Sequence, residues 1–197
     1  MDVAADDLPP YIGIALADVR LIRTEHEARD ALAHLLQADA VGFDTESKPT
    51  FAKGEVSTGP HLVQLATADL AFLFQTVTPA ASAVALAVLK PVLESPQILK
   101  VGFGLGDDVR RMRAKLGVEM HGVLDLSTAL RRRGERNPLG AKSAVERFFG
   151  QRLQKSKRIT TTNWALPRLS DKQMQYAADD AHAALRVYRR WREQTPA

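Results

Sequence analysis

Ala40-Val-Gly-Phe-Asp-Thr-Glu-Ser47 starts as an apolar strand and finishes on two acids, Asp44 and Glu46, one residue apart. Alternate side chains of a strand share a face, so the two carboxylates stand side by side. Like charges at that spacing repel, and burying them without a partner is costly. The pair therefore calls for something cationic between its members, and the remaining sequence has to supply the other groups around it.

The chain around this stretch has 197 residues, 45% of them hydrophobic, which suits one globular domain with a sizeable core. Residues 1–10 read as a disordered lead-in and 11–197 as the domain. With no cysteine, disulfides and thiolate metal sites are excluded, and an intracellular, cytoplasmic setting is expected. The opening MDVAADDLPP is acidic and lacks the basic start of a signal peptide. No apolar run approaches the roughly 20 residues of a spanning helix, so no membrane partner is expected. The net charge of +4 permits a polyanionic partner. Its distribution is more telling: Arg110, Arg111, Arg113 and Lys115 form one basic cluster, Arg131–Arg133 with Arg136 a second, and Lys155, Lys157 and Arg158 a third. Each alone reads as a solvated face; three near candidate site acids favour a phosphate-rich ligand.

The order of elements predicts an α/β fold with a mixed sheet flanked by helices. Tyr11–Arg23 reads as extended. Thr24 with Glu27 forms a capping box for a helix whose apolar face is Ala28, Ala31, Leu32, Leu35 and Leu36. The strand Ala40–Asp44 follows. His61–Ala66 and Ala71–Phe74 read as antiparallel strands joined by a turn. Next come a helix over 80–94, a strand Ile98–Phe103 and helices over 106–116, 124–133 and 139–149. A polar loop over 151–169 precedes a last helix, opened by the Ser170/Gln173 capping box and running through Trp191. The segment from Ser47 to Pro60, with Gly54 and Gly59, reads as a mobile loop beside the two acids.

Two further segments put acids where elements end. In Lys100-Val-Gly-Phe-Gly-Leu-Gly-Asp-Asp108 a strand breaks at glycines and a helix begins, where Asp107 or Asp108 could simply cap the helix. In Tyr176-Ala-Ala-Asp-Asp180, Tyr176 and Asp180 lie at i and i+4 on one helix face, while Asp179 points elsewhere, toward solvent. His182 faces another way again and reads as a packing or surface histidine.

The three segments DTE, VGFGLGDD and YAADD resemble, in order and spacing, the motifs of DnaQ-like 3′→5′ exonucleases of the ribonuclease-H fold. The subgroup is the one with four acids and a tyrosine (DEDDy), which includes ribonuclease D and the Werner-syndrome exonuclease domain. LVQLAT with AFLF, VLDLSTAL, and KSKRITTTNW continue the likeness over roughly residues 20–192. A histidine-type relative would carry its histidine at the position of Gln175, so the tyrosine type is the one resembled. Ser47, Arg110 and Pro167 depart from the family pattern at what the resemblance makes the substrate-handling rim.

The resemblance implies a ribonuclease-H-like sheet and a two-metal-ion 3′→5′ exonuclease acting on nucleic acid with a free 3′ end. It implies that Asp44, Glu46, Asp108 and Asp180 hold two divalent ions, Mg²⁺ or Mn²⁺, and that Tyr176 orients the attacking water. All-oxygen ligands suit those hard ions. Thr45, Lys155, Lys157 and Arg158 are candidate substrate contacts, and Trp164 reads as core in preference to a base-stacking platform. Two alternatives remain open: a catalytically silent nucleic-acid-binding or docking module on the same fold, and a phosphodiesterase for dinucleotides or small nucleotides.

Overall fold

Strand alternation and helix periodicity turn the chain into a single sheet with helices on both faces. The computed structural model describes residues 8–50, 54–132, 134, 137–154 and 157–195. In chain order the elements are β1 (Val19–Ile22), α1 (Glu25–Leu35), β2 (Ala40–Glu46), β3 (Leu62–Ala66), β4 (Ala71–Gln75), α2 (Pro79–Leu93), β5 (Leu99–Gly102), α3 (Gly106–Leu116), β6 (Val123–Asp125), α4 (Leu126–Ala129), α5 (Ala141–Phe149), α6 (Lys157–Thr160) and α7 (Asp171–Gln194). The strands lie in the order β1-β4-β3-β2-β5-β6. β2, β3 and β4 pair antiparallel, whereas β1 joins β4, and β5 joins β2 and β6, in parallel.

Alternation sorts the core into two layers. Val41 and Phe43 of β2, Val63 and Leu65 of β3, and Phe72 and Phe74 of β4 pack with α1, α2 and α3 through Ala31, Leu35, Val88, Leu89 and Met112. On the opposite face Leu62 and Leu73 meet Trp164, Tyr176 and Ala177, while Ala66 and Ala71 meet Ala178 and Ala181. α7 thus lies across the middle of the sheet. It sits unusually low because β2 carries Gly42 there: a Cβ at that position would lie 1.8 Å from the Ala181 carbonyl oxygen. Ser170 starts α7 with the expected capping box, its side chain and that of Gln173 bonding reciprocally to backbone N–H groups.

Three expectations are corrected. Residues 124–133 do not form one helix: Val123–Asp125 pairs with β5, and only Leu126–Ala129 is helical. Pairing to a strand that needed a partner overrode the local pattern. The Asp125 carboxylate then secures the join, accepting from Ser127 N at 2.9 Å, Gly104 N at 2.9 Å and Leu105 N at 3.1 Å. The loop over 151–169 contains α6. In the segment 11–23 only Val19–Ile22 is a strand, after a 3₁₀ turn at Leu16–Asp18. Of the lead-in over 1–10, residues 1–7 lie outside the described residues; the Pro9 carbonyl accepts from Arg152 N at 2.8 Å. Among the described residues no helix is long and apolar enough to cross a membrane.

Candidate metal centre

β2 presents Asp44 and Glu46 on the face that α7 covers, and α7 brings Asp180 to them. Each of the three offers a carboxylate oxygen, and these oxygens lie within 4.8 Å of one another. Asp180 is buried, Asp44 and Glu46 half-buried. A small hard cation binds oxygens at about 2.1 Å, so ligands on opposite sides of it lie about 4 Å apart. The trio is therefore already near the size of such a coordination shell, and its all-oxygen chemistry suits a hard divalent ion.

Asp108 stands apart from this trio. It opens α3, which packs on the other face of the sheet, and it meets β2 through Thr45, whose side chain alternates away from Asp44 and Glu46. Asp108 Oδ1 accepts from the Thr45 hydroxyl and, at 3.0 Å, from the Arg111 guanidinium. Both bonds end on the same oxygen, Oδ1. Neither Asp107 nor Asp108 caps α3; its N-cap position, Leu105, has no side-chain cap bond. Asp107 pairs with Arg110 instead.

Tyr176 lies one turn before Asp180 and is buried, its hydroxyl 3.2 Å from Thr160 Oγ1 on α6. Its ring packs on Trp164, centroids 6.1 Å apart. Trp164 is fully buried, and its indole N–H donates to the Thr160 carbonyl at 3.5 Å, so it is core as read from the sequence.

The candidate substrate contacts fare differently from one another. Thr45 is buried with its hydroxyl committed to Asp108. Lys155 lies outside the described residues, Lys157 starts α6, and Arg158 is exposed. Arg158 and Lys172 border a cleft of about 320 Å³ at the start of α7. In the basic cluster on α3, Arg110, Arg111 and Arg113 pair with Asp107, Asp108 and Glu119. Asp179 is corrected. It is half-buried and packed against Gly13, accepts from Gln175 Nε2 at 3.0 Å, and burial pushes its carboxyl up to about 6. His182 is a packing histidine, donating from Nε2 to the Ala68 carbonyl and accepting at Nδ1 from the Tyr11 hydroxyl.

Two residues near the centre escaped the sequence reading. His61 Nδ1 accepts from Lys48 N at 3.0 Å, which puts its proton on Nε2, 3.1 Å from Thr58 Oγ1. The ring thereby ties both ends of the Ser47–Pro60 loop to the sheet. Gln64 occupies the α7 side of β3 directly opposite Asp44. Its signal was a polar residue on the buried face of LVQLA. A larger cleft of about 700 Å³ opens at the other end of β2, beside Asp39 and Ala40. Its arginines are engaged: Arg189 with Asp39, and Arg186 with the Ile12 carbonyl and the Phe149 ring.

A mixed six-stranded sheet with acids at the end of its central strand, crossed by a final helix that adds another, defines the ribonuclease-H-like α/β class. Residues 19–195 match the family described as 3′-5′ exonuclease, and the chain belongs to that family. A 3′-5′ exonuclease of Arabidopsis thaliana is 31% identical over 154 residues, 76% of this chain and 51% of that protein. The bifunctional 3′-5′ exonuclease/ATP-dependent helicase WRN of Mus musculus is 26% identical over 164 residues, 83% of this chain and 12% of that protein. The chain thus spans about half the length of the first relative and much less of the second. Among solved structures, the EXO domain of Aedes aegypti Nibbler superposes with a TM-score of 0.75 at 23% identity, covering 92% of this chain and 90% of that one. Trypanosoma brucei RNase D in complex with RNA U12 gives 0.75 at 23%, covering 87% and 61%. At these identities the two structures speak for the fold.

Proposed function

We propose that this domain hydrolyses phosphodiester bonds of DNA or RNA from a free 3′ end, releasing nucleoside 5′-monophosphates. The observation that carries the reading is the convergence of Asp44, Glu46 and Asp180, with their ligand oxygens within 4.8 Å, in a chain of the 3′-5′ exonuclease family. Asp44, Glu46 and Asp180 would hold one divalent ion, Mg²⁺ or Mn²⁺, and Asp108 would help to hold a second. Such ions supply acidification of a bound water and neutralisation of charge on the leaving 3′ oxygen.

The residues of the chain do the rest. A free phenol, with a pKa near 10, is a poor base at neutral pH, so the Tyr176 hydroxyl is assigned to orient the water, steadied by Thr160. The water oxygen bonds to phosphorus, the bond from phosphorus to the preceding nucleotide's 3′ oxygen breaks, and that oxygen leaves protonated. Lys155, Lys157 and Arg158 are the residues proposed to grip phosphates on the 5′ side of the scissile bond. A silent docking module on the same fold is the competing reading; retention of every acid and of the tyrosine argues against it.

The test uses 3′-recessed duplex, single-stranded DNA and RNA, each labelled at the 5′ end, with Mn²⁺ and with EDTA. Stepwise shortening from the 3′ end is expected with Mn²⁺, none with EDTA, and none for Asp44→Ala, which should stay folded. Wild-type turnover in Asp44→Ala would sink the assignment. Binding without cleavage by the wild type would favour the docking module.

A further inference from the structure

Gln64 is fully buried, and neither its Nε2 nor its Oε1 has a hydrogen-bond partner. That is an expensive arrangement. An amide buried without partners gives up its hydration with nothing in return, and a methionine of similar length would fill the same space without that penalty. The surroundings narrow what the amide is for. β3 alternates Leu62, Gln64 and Ala66 toward α7, where Leu62 packs on Tyr176 and Ala177, and Ala66 on Ala178 and Ala181. Across the sheet Gln64 is in register with Asp44 on one side and Leu73 on the other. Directly opposed residues of antiparallel strands hold their Cβ atoms about 5 Å apart on the same face. Asp44 is therefore its one polar cross-strand neighbour, and α7 contributes Asp180, whose ligand oxygen lies within 4.8 Å of that of Asp44.

Both neighbours are acceptors. Nε2 is the atom of Gln64 that can serve them, and the Asp44 carboxylate already takes a donor, Thr45 N, on Oδ1 at 2.9 Å. A carboxylate that binds a metal needs its remaining lone pairs fixed by neighbouring donors, because these set its orientation. We propose that Gln64 is a positioning residue: when the acidic cluster takes up a divalent cation, its Nε2 donates to the Asp44 carboxylate and fixes that carboxylate toward the ion. This rests on the metal-centre reading above. The unmet amide is the imprint of a bond made in the loaded site.

The experiment compares Mn²⁺ binding to the full chain, by calorimetry or electron paramagnetic resonance, for wild type and Gln64→Met, with thermal melts of both in EDTA. Gln64→Met is expected to melt no lower than wild type without metal, while binding Mn²⁺ about 10- to 100-fold more weakly. Equal Mn²⁺ affinity in the two proteins overturns the role of Gln64 alone; absence of Mn²⁺ binding by the wild type overturns the metal centre and this proposal with it. A metal-free melt lowered for Gln64→Met, with unchanged affinity, makes the residue merely structural and also refutes it. A measurement on the wild type is independent of how the variant folds. On titration with Mg²⁺ the assigned Gln64 side-chain N–H resonances should move to lower field as the new bond forms. Resonances that stay still while those of Asp44 and Asp180 shift rule the bond out.

Discussion

Tyr176 shows how much one hydroxyl can be asked to do. It is held by Thr160 on a different element, so its position is set before any substrate arrives. If it orients water, Tyr176→Phe should lower kcat by a factor of ten or more with KM nearly unchanged. Steady-state kinetics on a short single strand would decide this, and a rise in KM alone would make the residue a substrate contact. His61 offers a second test at this scale. Burial, with the Lys48 charge adding to it, holds its imidazole below the ordinary value of 6.5. The unfolded chain takes up a proton more readily than the folded one, so stability from this group is complete above about pH 6.5 and falls as the pH drops below it. Protonation would also cost Nδ1 its bond from Lys48 N. NMR titration should give His61 a pKa below 6.5, with the Lys48 amide shifting in step. A His61 that titrates at or above 6.5 would contradict the geometry.

At the scale of elements, the centre depends on how closely α7 lies on β2. Asp180 reaches Asp44 and Glu46 only because Gly42 has no side chain under the Ala181 carbonyl. Gly42→Ala inserts a methyl where 1.8 Å separates it from that oxygen, so the helix must lift or tilt. Overpacking of this kind costs about 1–3 kcal/mol, and more against rigid backbone. Thermal unfolding should drop by several degrees, and Mn²⁺ affinity should fall with it, since Asp180 moves with the helix. A variant with wild-type melting and affinity would show that α7 sits higher than described. The contrast with α3 is instructive. Its acids look like caps in the sequence, yet they pair with arginines one turn on, and the strand end is reached through Thr45.

The whole molecule carries a net charge of +4, and three arginines of α3 stand in ion pairs. Grip on a polyanion is then expected from the residues around α6. For Lys155→Ala, Lys157→Ala and Arg158→Ala combined, binding of a cleavage-resistant oligonucleotide should weaken alike for all sequences. The slope of log affinity against log salt should flatten by about 0.7 for each lost single-strand contact. An unchanged slope would return these residues to ordinary solvated surface. Metal should also act globally: a cation bound only by the folded state at about 100 times its Kd adds about 2.7 kcal/mol of stability. Melts with Mn²⁺ and with EDTA measure it, and Asp44→Ala should lose the difference.

Local chemistry sufficed for α1 and α7, whose capping boxes and apolar faces are complete within each segment. Strand periodicity also set Asp44 beside Glu46, and helix periodicity set Tyr176 on one face with Asp180, whereas only the family resemblance joined Asp180 to the pair on β2. The pairing of Val123–Asp125 with β5 was not legible, since a strand of three residues is fixed by its neighbour and not by its own pattern. Nor was the fate of Asp179, Arg111 or Gln64. A charge, a guanidinium and an amide have no preferred partner until the fold brings one within reach. In this protein the segment 11–15 covers Asp179, α3 turns Arg111 onto Asp108, and strand register sets Gln64 opposite Asp44. Sequence determined which groups could meet a cation; the close approach of α7 to β2 decided that three of them do.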